Sequence, residues 1–303
     1  MRIYTHGDCL QHRVIEGHAE RPERLGHLMA YLDAVGLTQD YKPEAPKPIE
    51  DAQILAVHSP QHLDFLKASQ PAHEIVPLDP DTWMSKDSLH AARLAAGAVH
   101  AGVETVINSP ENRVFCAVRP PGHHAEIGGA MGFCLFNSVA IGAVAALSHA
   151  EIERVAILDF DVHHGNGSVD ICRDRPEILV CSSFQHPHYP NRLHDLVRDN
   201  IVCTPLTAGS DGDCFRAAIE RDWLPAIQRH RPQLILVSAG FDAHRLDPLA
   251  GLNLVEADFR WVTEFIVAAA NDHAEGRIVS TLEGGYHLDA LATSVSAHLQ
   301  ALA

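Results

Sequence analysis

The stretch that most constrains this chain is residues 157–167, Ile-Leu-Asp-Phe-Asp-Val-His-His-Gly-Asn-Gly. An apolar, β-branched run from Val155 to Leu158 passes directly into Asp159-x-Asp161-x-His163 and a glycine loop, the pattern of a buried strand ending in a polar turn. In open α/β sheets such carboxyl-terminal strand ends are where sites are built. While the chain stays extended, Asp159, Asp161 and His163 are two residues apart and project to one side. Two carboxylates and an imidazole crowded together are poorly satisfied without a cation, because buried charges are paired or metal-bound. The stretch predicts a metal site.

The arrangement recurs along the chain. A predicted strand at 114–118 runs into Arg119-Pro-Pro-Gly-His123-His124, and one at 178–183 into Phe184-Gln-His186-Pro-His188-Tyr189-Pro. A third at 234–239 ends in Gly240-Phe-Asp242-Ala-His244-Arg-Leu-Asp247-Pro-Leu249, and a fourth at 277–282 in Glu283-Gly-Gly-Tyr286. With a short first strand at 2–5, strands alternate with helical segments that include 88–107 and 258–270. This alternation predicts an α/β fold, a three-layer α/β/α single domain over residues 1–303 with a mostly parallel sheet of about eight strands. The charged run Gly17-His-Ala-Glu20-Arg-Pro-Glu-Arg24-Leu25 reads as capping and solvation of a helix start, with Pro22 in its first turn. The proline-punctuated loop 71–81 is long enough to help form a rim over a site.

Composition removes several alternatives. A 46% hydrophobic and 20% charged chain is not disordered. No apolar run reaches a membrane span and Met1-Arg-Ile-Tyr lacks the form of a signal peptide, so a cytosolic protein with no membrane partner is expected. Seven scattered cysteines without C-x-x-C predict buried free thiols, neither a disulfide framework nor a zinc ribbon. A formal charge of −16 argues against direct nucleic-acid binding and suits a cationic partner. The 22 histidines, several grouped beside glycine or aspartate, point to metal binding or proton movement.

Four strand ends therefore offer Asp161, His163, Asp242, His123, His124 and Tyr286 to one edge. A catalytic zinc takes three protein ligands and keeps one position open, a count that Asp161, His163 and Asp242 fit. Adjacent His123 and His124 diverge too far to share one ion easily, but can flank an attacking water as acid and base, with Asp159 and Asn166 available to fix their tautomers. Tyr286, flanked by glycines, is a phenol suited to donating to a polarised carbonyl oxygen. Metal-activated amide hydrolysis follows. His164 reads as a core or supporting residue, His244 as a supporting or exposed one, Asp247 as an organiser of its loop, and His186 and His188 as channel rim or surface.

These motifs, in this order and over residues from about 18 to 286, resemble the zinc-dependent histone deacetylases of the arginase/deacetylase superfamily. The matching pieces are Arg119-Pro-Pro-Gly-His-His-Ala125, Gly132-Phe-Cys134, Asp159-Phe-Asp-Val-His-His-Gly-Asn-Gly167, Ser238-Ala-Gly-Phe-Asp-Ala-His244 with Asp247-Pro-Leu249, and Glu283-Gly-Gly-Tyr286. The resemblance implies zinc on Asp161, His163 and Asp242, His124 as general base and acid, and His123 as an electrostatic partner paired to Asp159. It also implies that Tyr286 polarises the acyl carbonyl, that the Gly132 carbonyl receives the substrate amide, that Phe133 and Tyr189 wall a narrow channel, and that Asp81 grips the substrate backbone at the rim. A potassium ion beside the zinc is implied on Asp159, Asp161, His163, Ser183 and Phe184, several through backbone oxygens.

Asn166 stands where class I enzymes of the family have an aspartate, which groups the chain with class II and its bacterial relatives and lowers the expected basicity of His124. Leu249 occupies the position of a gatekeeping glutamate in a polyamine-specific relative. The implied substrate is an acylated lysine in a peptide or protein, with an acetylated polyamine as the alternative. A two-metal guanidine hydrolase is disfavoured, because Asp242-Ala-His244 lacks the second aspartate that a bridging pair of ions would use.

Overall fold

The computed structural model describes residues 1–303. Seven strands, Arg2–Tyr4 (β1), Arg113–Cys116 (β2), Val155–Asp159 (β3), Ile178–Gln185 (β4), Ile201–Leu206 (β5), Leu234–Ala239 (β6) and Ile278–Leu282 (β7), form one sheet in the order β1-β2-β7-β6-β3-β4-β5. Every pairing in it is parallel. The central strands β3, β4, β6 and β7 are buried along their whole length. That explains their continuous Val/Ile/Leu runs, since a parallel sheet is covered on both faces.

The two helical layers follow from residue parity. Gly102 of helix Ser88–Asn108 sits against Val114 and Val279, and Gly142 of helix Ser138–Leu147 sits against Leu236. The neighbouring residues Phe115 and Ser280 face the other way, where His298 of the last helix, Leu288–Leu302, packs on the phenyl ring and hydrogen-bonds the hydroxyl at 2.9 Å. Helices Glu256–His273 and Glu23–Ala34 flank that last helix, and Gly212–His230 covers the β4–β5 end. One core cluster of 79 residues runs through both layers, so no internal boundary divides it.

The strand ends that carry chemistry are level. Asp159 pairs with Ser182 of β4 on one side and Ser238 of β6 on the other, and Ala239 pairs with Leu282 of β7. From β3 the chain moves outward to β4 and β5, then returns to β6 on the opposite side and continues to β7. The crevice between the carboxyl ends of β3 and β6 is therefore a topological switch point, where such sheets place ligands.

The sheet has seven strands, against an expected eight or so. β5 carries no clear strand signal in the sequence: its burial is irregular and it contains Pro205, which is tolerated because β5 is an edge strand with one side unpaired. Within the predicted rim loop, Val76–Pro77 pairs antiparallel with Trp83–Met84 and stiffens it.

Burial holds two histidines neutral. The His298 ring, bonded to the Thr263 and Ser280 hydroxyls, and the His58 ring, beside His62, are both pushed down to about 3 by burial. Between pH 6.5 and 3 the unfolded chain takes up protons at these positions and the native state does not, so stability falls on acidification. From pH 7 to pH 5 each ring should cost about 2 kcal/mol. Denaturant unfolding at the two pH values should show that His298→Gln removes about that much of the drop; an unchanged slope would contradict the neutral assignment.

Candidate active site

Beyond β3 the Asp-x-Asp-x-His segment folds each carboxylate back on its own backbone. The Asp161 N–H donates to Asp159 Oδ1 at 3.1 Å and the His163 N–H to Asp161 Oδ1 at 2.9 Å, turns that short acidic side chains make readily. Two further backbone donors tie this segment to neighbouring loops, Val162 N–H to Asp242 Oδ1 and Gly284 N–H to Asp161 Oδ2, each at 2.9 Å. The result brings one ligand atom from each of Asp161, His163 and Asp242 within 4.8 Å of the others. A Cβ at Gly284 would fall 2.0 Å from Asp242 Oδ2 and 2.6 Å from Asp161 Oδ2, so a side chain there would fill the space between the carboxylates.

The three groups fit a metal ion. Asp242 Oδ2 is buried with no hydrogen-bond partner, a lone pair that costs free energy unless a cation meets it. His163 Nδ1 lies 3.0 Å from Asp161 Oδ1 and 3.2 Å from Asp242 Oδ2. Burial alone would lower the His163 imidazole, but the neighbouring Asp161 and Asp242 carboxylates push it up to about 10. Burial, then the charge of Asp161, raises the Asp242 carboxyl to about 7. Protons thus collect where positive charge is missing.

His123 and His124 lie beside this triad with opposite electrostatics. His123 Nδ1 is 2.9 Å from Asp159 Oδ2, and although burial opposes it, Asp159 and Asp161 hold this ring well above its usual range. Burial, then the neighbouring His123 and His163, keeps His124 well below its usual range. His124 Nδ1 meets Asn166 Oδ1 at 2.7 Å, and the Asn166 amide nitrogen donates to Glu126 Oε1 at 2.7 Å. Because Glu126 fixes the amide, Asn166 must accept from His124, which puts the proton on Nδ1 and the free lone pair on Nε2. The two adjacent rings are thus pushed in opposite directions, His123 toward the charged form and His124 toward the neutral one.

A cavity of about 200 Å³ opens onto these groups and is lined by Asp81, Gly132, Phe133, His188, Tyr189 and Leu249 with the rings of His124, His163 and Tyr286. Gly132 has φ +55° and lies so close to His124 that a Cβ would come within 2.3 Å of the ring. Phe133 follows in the same left-handed region, φ 69°, which turns its ring edge-on to Tyr286 at 5.8 Å. Asp81 sits in the wall, where Oδ1 accepts from the Gly132 N–H at 3.0 Å and the Thr82 hydroxyl at 2.8 Å. Burial keeps the Tyr286 phenol protonated, well above its usual range, against the opposing charge of Arg24, whose guanidinium lies 4.8 Å from the ring centroid. Ser183 Oγ lies 3.5 Å from the Asp159 carbonyl, and the Phe184 ring packs on His164.

The histone deacetylase domain matches residues 18–302. The chain belongs to the histone deacetylase family. A histone deacetylase-like amidohydrolase of Pseudomonas aeruginosa is 38% identical over 92% of this chain and 75% of its own length. A probable deacetylase of Archaeoglobus fulgidus is 32% identical over 95% and 81%, and an uncharacterized protein of Synechocystis sp. is 40% identical over 99% and 98%. The crystal structure of the HDA15 HD domain superposes with a TM-score of 0.93 at 30% identity, covering 100% of this chain and 90% of that one. As a histone deacetylase-family protein with deacetylase and amidohydrolase relatives, the chain is a hydrolase acting on amide bonds.

Several residues that shape this deacetylase-family site are not where the sequence reading put them. Glu20 and Arg24, read as helix capping and solvation, are 0% and 1% exposed. Glu20 pairs with Arg119 through two bonds of 2.8 and 2.7 Å and with Arg24 at 3.1 Å. Arg24 in turn donates to the Glu283 and Gly285 carbonyls, each at 2.6 Å. Their neighbours Arg21 and Glu23 do face solvent, and nothing local in so charged a run tells which of its charges turn inward. Glu283 was also missed: its buried carboxylate accepts the Gly122 and His123 N–H groups at 2.6 and 3.2 Å, joining the tyrosine loop to the histidine loop. His188, left open between rim and surface, lines the cavity and stacks on His163.

Because metal ligands bind deprotonated, filling this site must displace protons. At pH 7 the His163 ring, at about 10, releases one, and the Asp242 carboxyl, raised by burial and by Asp161, adds to the release. Calorimetric titration of a divalent metal into metal-free protein, repeated in buffers of different ionisation enthalpy, should report one to two protons released; a buffer-independent enthalpy would contradict the assignment.

Proposed function

We propose that the protein is a zinc-dependent deacylase that removes acetyl or other acyl groups from the ε-amine of lysine in peptides or proteins, with residues 1–303 as one catalytic domain. The observation that carries this reading is the buried Asp161–His163–Asp242 triad, with its unpartnered Asp242 oxygen, at the end of a channel walled by Phe133 and Tyr189. Zinc, which suits two carboxylate oxygens and one imidazole nitrogen, supplies a Lewis acid for the acyl carbonyl and for water.

The protein groups do the rest. The acyl-lysine stem passes between the Phe133 and Tyr189 rings, with Asp81 at the wall and the Gly132 carbonyl accepting the substrate amide N–H. His124, neutral and with its Nε2 lone pair free, takes the proton from the attacking water and later returns one to the leaving amine. His123, held charged by Asp159, favours the negative charge that develops on the carbonyl oxygen. The protonated Tyr286 phenol donates to that oxygen. We assign a potassium ion to Asp159, Asp161, His163, Ser183 and Phe184, where it would hold the β3 end in place.

Lysine is favoured over a polyamine because Leu249, at the channel wall, offers no charge to a second ammonium. A two-metal guanidine hydrolase is disfavoured on the same geometry. His244 accepts from the Leu246 N–H at 3.1 Å through Nδ1 and directs Nε2 toward Glu256 at 3.7 Å, away from the triad.

Tyr286→Phe should keep zinc at the wild-type stoichiometry and lower kcat on an acetyl-lysine peptide by about 10²-fold. Side-by-side kcat/KM values for acetyl-lysine peptides, longer acyl-lysines and N-acetylputrescine should rank the acetyl-lysine peptide above the putrescine. A wild-type rate for Tyr286→Phe, or the reverse ranking, would sink the corresponding part of the reading.

A further inference from the structure

The peptide unit between Gly285 and Tyr286 is held by opposite charges at its two ends. Its carbonyl accepts from Arg24 Nε at 2.6 Å, and its N–H donates to Asp247 Oδ2 at 2.7 Å. Gly285 has φ +119°, and a residue without a Cβ imposes little preference on the orientation of the following peptide. The backbone itself therefore does not set the direction in which Tyr286 leaves the loop. The two charges do.

Asp247 reaches further than the loop. Its Oδ2 also lies 3.4 Å from the His287 N–H, while its other oxygen, Oδ1, accepts from the Leu249 N–H at 3.0 Å. Leu249 lines the substrate cavity, and its carbonyl meets His188 Nε2 at 3.0 Å. Asp247 is 7% exposed, so water does not compete freely for these bonds. One buried side chain thus spans from the channel wall to the backbone that carries the Tyr286 phenol.

We propose that Asp247 is a positioning residue that couples the two: by tying the Tyr286 N–H to the Leu249 N–H, it holds the channel wall and the Tyr286 hydroxyl in register as one unit. Asp247 touches neither substrate nor metal and acts through Tyr286, so this inference rests on the carbonyl-polarising role given to that phenol above. An asparagine has the same shape but one acceptor oxygen, so it can serve the Tyr286 loop or the wall and not both.

The test compares acetyl-lysine with trifluoroacetyl-lysine peptides, since the fluorinated carbonyl is already electron-poor and needs less help from a hydrogen-bond donor. Four proteins are measured: wild type, Asp247→Asn, Tyr286→Phe and the double variant, each checked for zinc content and folding. Asp247→Asn should lower kcat on the acetyl substrate about 10-fold, as small misplacements of a catalytic group do, and on the trifluoroacetyl substrate by less than about 3-fold, with zinc retained. In the double variant the asparagine should add less than about 2-fold to the loss from Tyr286→Phe alone, because residues acting as one unit are not additive. If Asp247→Asn does not fold, Asp247→Ser takes its place with the same expectations. Equal losses on both substrates, or losses that multiply in the double variant, overturn the coupling while leaving the phenol's role intact. A Tyr286→Phe protein with the wild-type rate overturns both.

Discussion

The convergence of the Asp161 and Asp242 carboxylates on His163 is the interaction on which the rest of this architecture depends. Like charges this close in a buried site repel, and they persist only because other groups are arranged to hold them. The level ends of β3 and β6 bring the segments together, and backbone N–H groups from Val162, His163 and Gly284 anchor the oxygens. Close packing by Gly284 leaves no room for a side chain between them. One oxygen of Asp242 is left without a hydrogen-bond partner, and the three residues could hold a metal ion.

Around that centre the protein uses buried charge as scaffolding. Glu20 binds Arg119 and Arg24, Arg24 holds the carbonyls of the glycine loop, and Glu283 returns from that loop to the backbone of Gly122 and His123. A buried charge that loses its partner is strongly destabilising, so each link in such a chain constrains the next. The network therefore fixes the histidine pair and the tyrosine relative to one another from outside the channel. The same logic extends through Asp247 to Leu249 at the substrate wall.

Much of this was legible in the sequence, for identifiable reasons. The buried parallel strands announce themselves as unbroken apolar runs, and the residues at their ends are too polar and too close in sequence to be incidental. Asp161, His163 and Asp242 could be named because they follow strands that end at one sheet edge, although Asp161 and His163 lie beyond the strand in a turn and not in the extended register expected from the sequence. What escaped was set by tertiary context. β5 depends on pairing with β4, and its Pro205 argues locally against a strand. Helix Gly212–His230 contains Pro225 and is polar over much of its surface, so its period is weak. Glu20 and Arg24 look like surface charges until Arg119, about a hundred residues later, arrives to pair with them. The burial of Glu283 likewise depends on a loop 160 residues away.

The central claim is that one ion is held by two carboxylates and one imidazole and by nothing else from the protein. Zinc-edge X-ray absorption on the loaded enzyme tests it most directly. The account predicts a shell of oxygen and nitrogen scatterers at about 2.0 to 2.2 Å with no sulfur. A sulfur shell near about 2.3 Å, or a second metal scatterer at about 3.5 to 4 Å, would contradict it.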